Sequence, residues 1–110
     1  MKKGRTANQL TAEEFRQLQN QIKGVVIDVR TQREFDAGHL AITEFHYDFL
    51  NGYFEANLDN LDKNETYYLY CRSGNRSGKA LKIMKNKGFE KVYNIGGYDS
   101  LKTAEFATEK

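Results

Sequence analysis

The chain alternates between apolar residues at helical spacing and short continuous apolar runs. Phe15, Leu18 and Ile22 fall on one helical face, with Arg16, Gln17, Gln19 and Asn20 elsewhere, which predicts a helix packed along a single stripe. Thr11-Ala12-Glu13-Glu14 opens it as a capping box, in which Thr and Glu each satisfy the other's free backbone donor, and Gly24 marks its end. Val25-Val26-Ile27-Asp28-Val29 is short, β-branched and continuous, as expected of a strand buried on both faces of a parallel sheet. A second capping box, Thr31-Gln32-Arg33-Glu34, opens a short helix through Phe35 that Gly38 should terminate. After His39-Leu40, residues 42–47 mix β-formers with Glu44 and His46 and predict a short, more exposed strand.

Leu50, Tyr53, Phe54, Leu58 and Leu61 recur at helical spacings, broken by Asn51-Gly52 and by Asn57, Asp59 and Asn60; one or two short helices covering the sheet are expected. Thr66-Tyr67-Tyr68-Leu69-Tyr70 reads as a strand from its β-branched and aromatic content. Three tyrosines are unusual in a central strand, and their hydroxyls need partners or water, which predicts that part of it lies near a sheet end. Ala80, Leu81, Ile83 and Met84 form the apolar stripe of a helix starting near Ser77, and Lys79, Lys82, Lys85 and Lys87 fall mostly on its solvated side. Gly88 caps that helix and Phe89 packs back onto it. Val92-Tyr93-Asn94-Ile95 is a last strand, Gly96-Gly97 permits a sharp turn, and a helix over about 99–107 carries Leu101, Ala104 and Phe106. Helices alternating with short apolar strands indicate an α/β domain with a mostly parallel sheet.

Length and charge narrow the class. A chain of 110 residues is one domain with room for a core that needs no staples. Its 17 basic and 15 acidic side chains give a formal net charge of +2, far from the imbalance of a nucleic-acid binder. Residues 1–8 are basic and predict a flexible tail, with the folded domain over 9–107. No apolar stretch follows the tail to make a signal peptide and no run reaches membrane-spanning length, so a cytoplasmic monomer without nucleic-acid or membrane partners is expected. Cys71, His39 and His46 are too few and too scattered for a zinc cluster, a single cysteine makes no internal bridge, and no metal or cofactor is expected.

The candidate chemistry lies in Tyr70-Cys71-Arg72-Ser73-Gly74-Asn75-Arg76-Ser77-Gly78. The lone thiol ends a predicted strand, and in open α/β sheets the ligand crevice lies at such ends. A helix follows at once. The helix N-terminus, with Arg72 and Arg76 beside it, lowers the thiol pKa and favours the reactive thiolate. Arg72, Ser73, Gly74, Asn75, Arg76 and Ser77 are small, polar or basic, and Gly74 lets the turn tighten so that successive N–H groups form an anion-binding nest. Arg76 closes the turn; Arg72 could face either the pocket or solvent.

These residues resemble the single-domain rhodaneses, sulfurtransferases that carry sulfur as a cysteine persulfide. The resemblance rests on Asp28-Val29-Arg30 with Glu34-Phe35 and Gly38-His39-Leu40, on the Cys71 turn, and on Gly88-Phe89 leading to Val92-Tyr93-Asn94-Ile95-Gly96-Gly97, spread from about Thr11 to Ala104. It implies a single rhodanese-like domain with about five short, mostly parallel strands flanked by helices on both faces. It also implies that Cys71 takes sulfane sulfur from thiosulfate or another small anionic donor and passes it to a thiol, a protein persulfide carrier or cyanide, with no cofactor. Residues 72–77 would bind the donor and the persulfide. Asp28, Arg30, Glu34 and His39 would be structural support, His39 not acting as a general base. The stretch from Ala41 to Phe45 and the absence of tryptophan after the double glycine, with Leu101 at about that place, depart from the family pattern and bear on pocket shape. A cysteine phosphatase is the enzymatic rival, but its loop places five residues between Cys and Arg, whereas four stand here. A non-catalytic binding or relay module is the other alternative.

Overall fold

A computed structural model describes residues 8–110. Of the tail expected over 1–8, only Asn8 falls among them; its side chain donates to the Val92 carbonyl at 2.9 Å. The elements in chain order are α1 (Ala12–Gln21), β1 (Val25–Asp28), α2 (Gln32–Ala37), β2 (His39–Leu40), β3 (Phe45–His46), α3 (Tyr53–Ala56), a 3-10 turn (Leu58–Asn60), β4 (Tyr67–Cys71), α4 (Asn75–Asn86), β5 (Val92–Gly97), α5 (Tyr98–Thr103) and β6 (Thr108–Glu109). No helix of the described residues is long and apolar enough to cross a membrane.

The central sheet is wholly parallel, in the order β3-β1-β4-β5. It has four strands where about five were expected. A further short strand, β2, pairs antiparallel with β6 outside this sheet. Both capping boxes are formed, at Thr11 with Glu14 and at Thr31 with Glu34, so the starts of α1 and α2 are set by local sequence. The closing helix stops at Thr103 instead of about 107, and Phe106 then stacks on Phe15 with ring centres 5.1 Å apart.

Period-two alternation along β4 divides the core. Tyr67, Leu69 and Cys71 face one side, against Phe54, Leu58, Ala80, Leu81 and Met84 of the α3 and α4 layer. Tyr68 and Tyr70 face the other, against Phe15 of α1 and Leu101 of α5. Leu101, where the family pattern favours tryptophan, is fully buried.

Contrary to the expected place near a sheet end, β4 is an interior strand and all its residues are buried. The tyrosines are tolerated because their rings reach the edges of the core. Tyr67 donates to the Asp62 carbonyl at 2.7 Å, Tyr68 to the Ile22 carbonyl at 2.7 Å, and the Tyr70 oxygen accepts from the Leu40 N–H at 3.1 Å while bonding Thr43 Oγ at 2.8 Å. Thr43 lies in the stretch that departs from the family pattern, so that turn is built to hold Tyr70.

A buried ion pair locks the carboxyl end of β1. Arg30 Nε is 3.0 Å from Asp28 Oδ1 and Nη2 is 2.8 Å from Oδ2, and Nη2 also donates to the Gly38 carbonyl at 2.7 Å. The guanidinium lies 4.3 Å from the Tyr98 ring centre, so one side chain ties β1, the end of α2 and the start of α5 together. Such a pair adds little net stability, but losing one member leaves a bare buried charge. Asp28→Ala should therefore destabilise the fold by roughly 3–5 kcal/mol, whereas Asp28→Ala combined with Arg30→Leu should cost less; urea unfolding of both variants checks this.

Candidate active site

The parallel ladder places Cys71 at the carboxyl end of β4, opposite Gly97 of β5. Between Leu69 and Tyr70 the register shifts by one residue of β5, since Leu69 faces Asn94 while Tyr70 faces Gly96. Such a bulge bends the strand and re-aims the residues beyond it. Two glycines then allow the Cys71 turn to close. Gly74 adopts φ +94° as the N-cap of α4, and a Cβ on Gly97 would lie 2.5 Å from the Arg72 carbonyl. The left-handed Gly74 delivers the chain directly into the helix, which begins at Asn75, earlier than the expected start near Ser77.

The turn wraps the sulfur. Cys71 Sγ accepts from the Gly74 N–H at 3.1 Å, the Ser77 N–H at 3.4 Å and the Ser77 hydroxyl at 3.4 Å, and Cys71 has no exposed surface. Burial pushes the thiol pKa up, but the hydrogen bonds from the Ser77 hydroxyl and N–H and from the Ser73 and Gly74 N–H groups outweigh it, so the net shift is downward. First-turn N–H groups have no partner within their own helix, and here the Ser77 N–H of the first turn and the N-cap Gly74 N–H are turned to the sulfur.

Arg76 and Glu34 form a bidentate pair, Nη1 to Oε1 at 2.8 Å and Nη2 to Oε2 at 3.0 Å. The cation expected to close the turn on an anion is thus a strut from α4 to α2, near enough to feel the charge of the Cys71 thiolate. Arg72 is exposed and pairs with no carboxylate among the described residues. With Arg30, Glu34, Gly38, Tyr98 and Asp99 it lines a cavity of about 240 Å³. Arg30 and Glu34 are already matched to Asp28 and Arg76, so Arg72 is the uncommitted cation of that cavity.

The other expected residues separate. Ser73 and Asn75 turn toward two further recesses, one lined by Gly97 and Ser100 and one by Lys79 and Lys82. His39 stacks on Phe35 with ring centres 3.9 Å apart, its Nδ1 is 3.2 Å from the Phe35 carbonyl oxygen and its Nε2 is 3.6 Å from Glu109, so both nitrogens are turned to structural partners. Asn94, absent from the sequence-derived site, bonds Ser77 and Gly74. The available signal was a buried asparagine in a strand of apolar neighbours, a residue type that strands disfavour.

These bonds set two measurable quantities. Ser77→Ala removes a donor from the sulfur and should raise the Cys71 pKa, read from the ultraviolet absorbance of the thiolate against pH. The Arg76 hydrogen bonds hold the Glu34 carboxyl at a pKa of about 2 against an ordinary 4.5. A depressed carboxylate stabilises the folded state above its unfolded pKa, so this contribution should be complete above about pH 4.5 and lost as pH falls through about 2. Urea unfolding over that range should show a shallower pH dependence for Glu34→Gln than for the wild type.

Comparison with known proteins agrees with this geometry. The family model described as the Rhodanese-like domain matches residues 11–104. The chain is 31% identical over 88 residues to the uncharacterized protein YqhL of Bacillus subtilis (strain 168), covering 80% of this chain and 66% of YqhL. It is 34% identical over 70 residues to the putative sulfur carrier protein YrkF of the same organism, covering 64% of this chain and 36% of YrkF. It thus spans less than two thirds of the length of these two relatives. The crystal structure of a rhodanese-like domain protein from Staphylococcus aureus superposes with a TM-score of 0.71 at 27% identity, over 86% of this chain and 90% of that one. With a parallel sheet ending in a cysteine turn and a family match over nearly its whole described length, the chain belongs to the rhodanese-like domain family.

Proposed function

We propose that the protein is a sulfurtransferase that moves sulfane sulfur from thiosulfate, or another small anionic donor, to a thiol or cyanide through a persulfide on Cys71. The observation that carries this reading is the convergence of Gly74 and Ser77 donors on a single sulfur whose pKa is held down. An N–H nest around one atom suits a sulfur anion before and after transfer, and needs no redistribution of charge by another group.

The chemistry balances without a further reactant. The Cys71 thiolate attacks the outer sulfur of thiosulfate, an S–S bond forms to Sγ, the S–S bond of thiosulfate breaks, and its electron pair leaves with sulfite. The charge now sits on the outer sulfur of the persulfide. An acceptor thiolate or cyanide then attacks that sulfur and returns the thiolate to Cys71, a ping-pong cycle. Arg72 would attract and hold the donor's anionic end at the cavity mouth, and Arg76 would keep a fixed positive charge beside the sulfur while bracing the turn through Glu34.

A phosphatase reading fits less well. Four residues separate Cys71 from Arg76, which contracts the cradle, and the Arg76 guanidinium is bound to Glu34 instead of being free to grip a phosphoryl group. A relay role, passing persulfide between proteins, is compatible with the same cradle, and the similarity to a putative sulfur carrier supports keeping it as the second reading.

Intact-mass measurement after incubation with thiosulfate should show a gain of one sulfur atom that dithiothreitol removes and that Cys71→Ser lacks. Turnover of an aryl phosphate without any such gain would overturn the proposal. Arg72→Ala should raise KM for thiosulfate about tenfold, near 1.4 kcal/mol of binding, with a smaller change in kcat.

A further inference from the structure

Asn94 stands in β5 and is only 4% exposed. Its backbone is spent on the chain's first described residues, the N–H donating to the Asn8 carbonyl and the carbonyl accepting from the Leu10 N–H, each at 2.9 Å. Its side chain is turned into the cysteine turn. Oδ1 accepts from the Ser77 hydroxyl at 2.8 Å and from the Gly96 N–H at 3.0 Å, and Nδ2 donates to the Gly74 carbonyl at 3.0 Å. Only this orientation of the amide serves all three, since a flip would set N–H against N–H and oxygen against oxygen. The two residues gripped on the turn, Gly74 and Ser77, supply three donors within hydrogen-bond reach of Cys71 Sγ.

We propose that Asn94 is the positioning residue of the sulfur cradle, fixing Gly74 and Ser77 so that their donors converge on Cys71 and thereby setting how much of the sulfur is anionic. This deepens the sulfurtransferase reading and rests on it for its purpose. Asn94 touches neither the sulfur nor a substrate and acts through the two residues it holds. One opposing effect exists. The Ser77 hydroxyl has a single hydrogen, and Asn94 Oδ1 at 2.8 Å competes for it with Sγ at 3.4 Å. When the sulfur is anionic that hydrogen can turn to it without orphaning Asn94 Oδ1, which keeps its Gly96 donor. Asn94 thus places three donors and competes for one hydrogen, so placement prevails.

The charged groups around the sulfur remain as they are when Asn94 is changed. From α4 there is Arg76, closed on Glu34 of α2; from β1 and its end there is the Asp28 and Arg30 pair; on the turn itself there is Arg72; the facing residues of β5, Gly96 and Gly97, carry no charge.

Because Cys71 is the only cysteine, ultraviolet absorbance against pH, taken as the difference from Cys71→Ser to remove the ionisation of the seven tyrosines, reports its thiolate and requires no sulfur donor. Asn94→Leu should raise the titration midpoint by about one pH unit, a roughly tenfold loss of thiolate below it. Combining it with Ser77→Ala should shift the midpoint by less than the sum of the single shifts, as expected when two residues act through one set of contacts. Asn94→Ser, too short to hold either partner, provides the same comparison if the leucine variant does not fold. A midpoint that stays or falls while the melting temperature drops would make Asn94 merely structural and overturn the proposal, as would additive shifts in the double variant. Failure of wild-type protein to gain sulfur from thiosulfate would instead count against the sulfurtransferase reading, leaving the titration result intact.

Discussion

The molecule is organised around hydrogen-bond donors directed at a sulfur atom that water does not reach. A bare thiolate with no exposed surface would be neutralised by taking up a proton. Donors from Gly74 and Ser77 oppose that, and their convergence makes geometric demands that run through the chain. The turn has to double back immediately, hence a left-handed Gly74; it has to lie against β5, hence no side chain at Gly97; and β4 has to be re-aimed, hence the register shift beside Ile95. The sheet and its helices hold these few backbone groups in place.

Charge around the turn is arranged so that most of it is already spent. Asp28 neutralises Arg30 at the end of β1, and Glu34 neutralises Arg76, a pair that joins α2 to α4. Arg30 reaches from β1 to Gly38 and Tyr98, while Arg76 reaches from α4 to α2. What remains for a visiting anion is Arg72 alone in its cavity, together with the N–H groups of the turn. Under the proposed sulfur-transfer reading, a site with one uncommitted cation would grip an anion loosely enough to release sulfite again, which a ping-pong cycle requires.

The parts legible in the sequence were those whose causes are local. Both capping boxes, the buried β-branched strand at residues 25–28 and the stripe of α4 arise from neighbours within one or two turns, and the structure forms them. The strand of tyrosines was readable as a strand but not as an interior one, because the partners of Tyr68 and Tyr70 come from Ile22, Leu40 and Thr43, far away in sequence. The pairing of β2 with β6 was invisible, since two residues carry no period. The pairing of Arg76 with Glu34 joins positions 42 apart, and no spacing rule reaches that far. Asn94 lay in plain view in a motif, but its purpose depends on where the cysteine turn sits against β5.

Cys71 has no exposed surface, and this ties two quantities together. If Cys71 takes sulfur from a donor as proposed, the turn has to part, and the bonds that hold it over the sulfur are the ones that favour the thiolate. A firmer latch would hold more of the sulfur as thiolate but admit visitors less often; a looser one would admit more visitors to a sulfur that keeps its proton more of the time. Under the proposed function, throughput would be greatest at an intermediate grip, with the frequency of opening mattering as much as the reactivity beneath the turn.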